Sequence, residues 1–212
     1  MSRAHVANNS GAVEWYTPAA VVKAARAVLG TIDLDPASCE EANRVVQATR
    51  FYSVEEDGLA QRWAGRVFLN PPYAGGVIGK FTDKLLEHYR AADVSEAVAL
   101  VNNATDTEWC QSILKAASAV CFIKGRLRFW RHDRGDEGTP LQGQMVVYLG
   151  STPELFTSVF ARFGPVLVTF RHETKGELFG KPAGRPVRFG RPMTAAERQR
   201  RHRSVMCAEG TR

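Results

Sequence analysis

Val67-Phe68-Leu69 running into Asn70-Pro71-Pro72-Tyr73 is the stretch on which the reading of the fold turns. Three consecutive apolar residues without polar alternation describe a strand covered on both faces, as in a parallel sheet between helices. The rest of the chain falls into place around it. Upstream, Thr17-Pro18 opens an apolar-periodic segment that ends at Gly30, with Thr as N-cap and Pro at the first helical position. Residues 31–35 read as a short strand ending on Asp35, and residues 40–49 as a helix. Downstream, residues 79–89 and 107–117 have helical spacing, and residues 97–101 form a strand between them. Residues 120–123 and 144–149 read as strands separated by a polar, Gly-containing surface loop over 131–143. A helix over 153–163 and a strand over 166–170 close the pattern. Strands alternating with helices at this spacing predict an α/β fold: a doubly wound, mostly parallel sheet with helices on both faces.

Ligands in open α/β sheets bind beyond the carboxyl ends of the strands, so the four residues after Leu69 stand where chemistry is expected. Asn70 offers a side-chain carbonyl that can accept from an amine. Pro71 has no N–H to donate, and its C=O is a second acceptor. Two prolines stiffen the backbone so that both acceptors point one way. Tyr73 supplies a flat face on which a planar group can stack. Two acceptors and a stacking face suit an exocyclic amine on a flat heterocycle, or an amide. A rigid Pro-Pro turn after a strand is the bland alternative.

Composition narrows the class. The chain has 212 residues, 44% hydrophobic and 24% charged, which is one ordinary domain with a real core. Collagen, coiled-coil rods and a wholly disordered chain are excluded. No stretch approaches the roughly 18 apolar residues of a membrane helix, so no membrane partner is expected. Residues 1–13 read as a mobile arm without the apolar region of a secretory signal. The four cysteines (Cys39, Cys110, Cys121, Cys207) form no C-x-x-C pair and have no His at ligand spacing. No metal is therefore expected, Cys110 and Cys121 read as core residues, and a reducing, cytoplasmic setting fits. The five scattered histidines suggest no nucleophilic triad.

The net charge of +6 is lopsided. Residues 171–212 hold 11 of the 28 Lys+Arg and 4 of the 22 Asp+Glu, so the whole basic excess lies there. After a Gly/Pro/Arg-rich linker, a capping box at Thr194–Glu197 opens a short basic helix carrying Arg198, Arg200, Arg201 and Arg203. Such a tail fits a polyanion partner, most often nucleic acid, and equally a solvated extension. A second basic cluster (Lys124, Arg126, Arg128, Arg131 and Arg134) is interleaved with Phe129 and Trp130.

These blocks together resemble the phage-type DNA adenine-N6 methyltransferases, which use S-adenosylmethionine. The resemblance runs from Glu14 to about Leu149. It rests on Glu14-Trp15-Tyr16-Thr17-Pro18, Asp33-Leu34-Asp35-Pro36-Ala37-Ser38, Glu55-Glu56-Asp57-Gly58-Leu59, Trp63 to Tyr73, Gly125 to Phe129, and Gly143 to Val147, in that order. It implies the class I S-adenosylmethionine-dependent methyltransferase fold over residues 14–170, with 171–212 as a basic extension. It implies that Asn70, Pro71, Pro72 and Tyr73 hold and stack the target adenine. Asp35, Pro36 and Ala37 would border the methionine part of the cofactor, with Asn70 beside them. Asp57 would accept from the cofactor adenine's amine. Trp15, Tyr16, Thr17 and Pro18 would close over the cofactor's far side. Simpler readings stand beside these: Asp35 as a helix N-cap, Asp57 as a turn residue before Gly58, Trp15 as core packing. The glycine-rich turn usual in methyltransferases after the first strand is absent, the residues being Pro36-Ala37-Ser38-Cys39. No acid for the cofactor ribose stands out, and Glu40, Glu41 and Asn43 are candidates.

The implied reaction moves the methyl of S-adenosylmethionine onto N6 of an adenine flipped out of double-stranded DNA, with site-specific or relaxed specificity, in a phage protecting its DNA from restriction. Lys124, Arg126, Arg128, Arg131 and Arg134, together with the tail arginines, would meet phosphates, and the 131–143 loop is the element most suited to reach bases. Two alternatives remain: an amino-methyltransferase acting on an RNA base or a protein glutamine amide, and a non-enzymatic nucleic-acid-binding protein.

Overall fold

Leu69 ends a five-residue strand, β3 (Gly65–Leu69), whose burial deepens towards its carboxyl end until Val67, Phe68 and Leu69 are fully enclosed. The computed structural model describes residues 16–73, 76–130, 137–138 and 142–169, all within one compact unit. Before β3 come α1 (Ala19–Leu29), β1 (Leu34–Asp35), α2 (Glu40–Val46) and β2 (Arg50–Phe51). After it come α3 (Val77–Arg90), β4 (Val94–Asn102), α4 (Glu108–Ala116), β5 (Ala119–Phe122), β6 (Phe129–Trp130) and β7 (Glu137–Gly138). The order closes with β8 (Gln144–Leu149), α5 (Pro153–Phe160) and β9 (Val166–Val168).

Seven strands form one sheet in the order β2-β1-β3-β4-β8-β5-β9, and β6 pairs with β7 separately. β2, β1, β3 and β4 are parallel to one another. β8 lies antiparallel between β4 and β5, which restores the original direction to β5, and β9 runs against β5 at the edge. The sheet is therefore mixed, mostly parallel through its centre. Side chains alternate across it as the pleat requires. Val67, Leu69, Ala97, Ala99 and Val101 face α3 and α4. Phe68, Val98 and Leu100 face α1 and α5. Both faces are covered, which is why these strands read as continuous apolar runs.

The direction of travel changes between β1 and β3. From β1 the chain passes through α2 outward to β2; from β3 it passes through α3 the opposite way to β4. The carboxyl ends of β1 and β3 are neighbours at this switch point, where a doubly wound sheet opens a crevice.

Several boundaries differ from the sequence reading. The first helix begins at Ala19 with Pro18 at the cap, and Thr17 makes no capping bond; it is buried instead. The helix expected over 40–49 stops at Val46, because Gln47 adopts a left-handed conformation (φ 50°) and the Asn43 amide bonds both the N–H and the C=O of Ala48. The chain turns over 47–49 instead and leads into β2, a two-residue strand too short to show a period. The last helix ends at Phe160 rather than 163. Within the expected surface loop, residues 137–138 pair with 129–130 as a short hairpin. The arm over 1–13 and the extension over 171–212 lie outside the described residues. No helix among the described residues is long and apolar enough to cross a membrane.

Candidate active site

The crevice at the switch point is a cleft of about 550 Å³. Its floor is the pair of strand ends, Asp35 on β1 and Asn70 to Tyr73 after β3. Tyr16, Thr17, Pro18 and Ala19 form one wall at the start of α1, and Cys39, Glu41, Ala42, Val45 and Val46 on α2 form a second. Tyr52 to Val54 and Asp57 to Leu59 border the outer end, and Val77 and Phe81 of α3 border the motif. Segments read separately from the sequence thus meet in one hollow: Tyr16, Thr17, Pro18, Asp35, Pro36, Ala37, Asp57, Asn70, Pro71, Pro72 and Tyr73 all line it. Trp15 lies outside the described residues.

Asp35 is the most buried charged group among the described residues, only 3% exposed. Its Oδ1 accepts from the Ala37 backbone N–H at 3.3 Å. No cation among the described residues pairs with it. Burial pushes its carboxyl up from the ordinary 3.8 to about 7, opposed only in part by the Ala37 N–H and the nearby Ser38 hydroxyl. Ser38 Oγ, also on the cleft wall, is buried and makes no hydrogen bond of good geometry. A buried acid with no counter-charge among the described residues, beside a buried hydroxyl, suits a ligand that brings a positive charge and hydrogen-bonding groups. Asp35 does not cap a helix: the N-cap of α2 is Cys39, whose Sγ accepts from Ala42 N–H and whose thiol donates to the Tyr16 hydroxyl at 3.4 Å.

Asp57 is both a turn residue and a cleft residue. It sits at φ 49° and its Oδ1 accepts from Leu59 N–H at 3.1 Å, while its position borders the outer end of the cleft. The turn is pinned from beneath by Trp63, fully buried, whose indole N–H donates to the Gly58 carbonyl at 2.7 Å. Of the acids and amides considered for a ribose, Asn43 is engaged with Ala48, Glu40 is exposed outside the cleft, and Glu41 lines it.

In the motif itself, Pro71 is buried and the Tyr73 ring packs against the α3/α4 side of the core. The Tyr73 hydroxyl donates to Asn70 Oδ1 at 2.9 Å and lies 3.2 Å from the Leu100 carbonyl. Burial pushes the phenol well above its ordinary range, so it remains a donor at neutral pH.

Lys124, Arg126 and Arg128 are exposed. They follow the carboxyl end of β5, which runs in the direction of β3 and β4, so they lie at the same end of the strands as the cleft, three strands across from β3. Arg131, Arg134, Arg198, Arg200, Arg201 and Arg203 lie outside the described residues. Sequence reading missed the apolar side of the cleft: Val45, Val46, Tyr52, Val54, Leu59, Val77 and Phe81 carry no chemical signature and are recognisable only once α2, β2 and α3 are in place.

Fold and site define an α/β protein with a ligand cleft at the switch point of its sheet and a two-acceptor, one-aromatic motif on the cleft floor. The chain belongs to the DNA N-6-adenine-methyltransferase (Dam) family, which it matches over residues 5–163. A DNA N-6-adenine-methyltransferase of Escherichia phage T1 is 32% identical over 116 residues, covering 53% of this chain and 45% of that relative. The chain therefore spans about half the length of the curated relative it matches.

Proposed function

We propose that this protein transfers a methyl group from S-adenosylmethionine to the N6 amine of adenine in double-stranded DNA. The observation that carries the reading is the meeting of Asn70-Pro71-Pro72-Tyr73 and the buried Asp35 in one cleft at the switch point. S-adenosylmethionine, when bound, supplies a methyl group activated on a sulfonium. Asp35 would hold the cationic end of the cofactor, with the Ser38 hydroxyl and the Ala37 backbone beside it. Glu41 would reach the ribose, and Asp57 the adenine amine at the outer end. Tyr16, Thr17 and Pro18 would exclude water from the far side.

The target amine would donate one hydrogen to Asn70 Oδ1 and one to the Pro71 carbonyl. Those two bonds aim the nitrogen lone pair and stabilise the positive charge that would grow on N6 as its bond to the methyl carbon forms and the carbon–sulfur bond breaks, its electron pair returning to sulfur as a neutral thioether. The surplus proton then leaves N6 to solvent, so no strong base is needed. An adenine in a duplex cannot reach such a floor, so the base would be flipped out, with the Tyr73 ring stacking against it to offset part of the few kcal/mol of unpairing. Lys124, Arg126 and Arg128 would take phosphates at the same end of the strands. The match to a phage enzyme supports a phage setting, in which methylation would shield viral DNA from restriction.

The test is methyl transfer from labelled S-adenosylmethionine to duplex DNA, RNA and protein in parallel, followed by nuclease digestion and identification of the modified base. N6-methyladenine in DNA is expected. Asn70→Ala should lower the rate by about 10²–10³-fold, as for loss of one preorganised group on a developing charge. Label in RNA or in protein glutamine instead, or full activity of the Asn70→Ala variant, overturns the reading.

A further inference from the structure

The Tyr73 hydroxyl has a role that an aromatic stacking face does not require. Leu69 and Ala99 form the last matched pair of β3 and β4, yet β4 runs on to Asn102. A parallel partner continuing in register would set the N–H of residue 71 on the carbonyl of residue 100. Residue 71 is Pro and has no N–H. The Tyr73 hydroxyl occupies that place, its one hydrogen shared between Asn70 Oδ1 at 2.9 Å and the Leu100 carbonyl at 3.2 Å. Leu100 is fully buried, so its carbonyl needs such a donor. The motif thus repairs, with its fourth residue, the gap its second residue makes in the ladder.

We propose that Tyr73 is a positioning residue: its hydroxyl, tethered at the end of β4, orients the Asn70 side chain, so that acceptor and stacking plane form one preset unit. The inference rests on the functional reading above. An amide oxygen has two lone pairs, so accepting from Tyr73 and from a target amine together is compatible. Losing the hydroxyl removes a constraint that keeps the oxygen, rather than the amide nitrogen, of Asn70 at this place. A misoriented amide would present a donor to a donor, which costs rate more than binding.

Tyr73→Phe keeps the ring and its packing and removes only the hydroxyl. The expected result is a kcat for DNA methylation lower by about tenfold, the scale of one hydrogen bond, with the KM for DNA and the Kd for S-adenosylmethionine within about twofold of wild type. Tyr73→Ala, which also removes the ring, should raise the KM for DNA in addition. Wild-type kcat in Tyr73→Phe overturns the inference, and so does a loss spread equally over kcat, KM and cofactor binding, which marks a general lesion. The Asn70 side-chain amide resonances, identified by their loss in Asn70→Asp, provide a readout independent of activity: they should shift in Tyr73→Phe, and unchanged resonances overturn the inference. A wild-type protein that methylates no DNA defeats the functional reading alone, and the amide resonances then still decide whether the hydroxyl orients Asn70.

Discussion

Asp35 was legible in the sequence as an acid at the end of a short strand, but its electrostatic state was not, because desolvation depends on what α1, α2 and the 57–59 turn place around it. In the folded chain its carboxyl titrates near 7, against 3.8 ordinarily, because burial penalises the charge. The unfolded chain therefore releases this proton first, and stability contributed by the protonated form is present below about pH 4 and lost as pH rises to about 7. Asp35→Asn should remove that slope, so the variant melts above wild type at about pH 8 and the two converge near pH 4, read by thermal denaturation across pH. A cationic ligand has the opposite preference and favours the ionised acid. Affinity for S-adenosylmethionine should rise between about pH 6 and 8 in the wild type and stay flat in the Asn variant, measured calorimetrically. Asp57 shows the reverse limit: being a turn residue does not keep it off the cleft, because the side chain that bonds Leu59 N–H also borders the cleft.

At the scale of elements, apolar period sufficed for α1, α3, α4 and the long strands, and it failed where local hydrogen bonds decide. α2 ends at Val46 because Asn43 wraps Ala48, and β2 exists only because β1 offers it an edge. The 54–60 turn is the element on which the outer cleft depends. A Cβ at Gly58 would collide with the carbonyl oxygen of Pro36, backbone against backbone, on the floor beside Asp35. Gly58→Ala must therefore displace either Pro36 or the turn. Expected are a lower melting temperature and a cofactor affinity reduced at least tenfold, about 1.4 kcal/mol, with binding of non-specific DNA unchanged. Normal cofactor affinity in that variant would mean that the turn and the floor move independently.

For the whole molecule, the charge total concealed its arrangement. The described basic residues of the 124–128 segment lie at the same end of the strands as the cleft, whereas the larger excess lies beyond residue 170. Replacing Lys124 and Arg126 together by Ala should raise the KM for DNA and leave cofactor binding intact. The slope of log affinity against log salt should fall by about one for each phosphate that is no longer neutralised. Deleting residues 190–212 should weaken DNA binding and flatten its salt dependence while cofactor binding survives. Loss of cofactor binding on that deletion would show the tail to be part of the fold.

The sequence by itself determined the class of sheet, the place of Asn70-Pro71-Pro72-Tyr73 after a buried strand and the acid at the end of another, because apolar period, proline chemistry and residue type are local properties. The tertiary structure alone decided that these segments share one cleft, that Asp35 is buried there with no counter-charge among the described residues, and that the Tyr73 hydroxyl stands where the N–H that Pro71 lacks would be. Each of these depends on which strand lies beside which, and strand order arises from packing two helical layers on one sheet, not from the residues of any single strand.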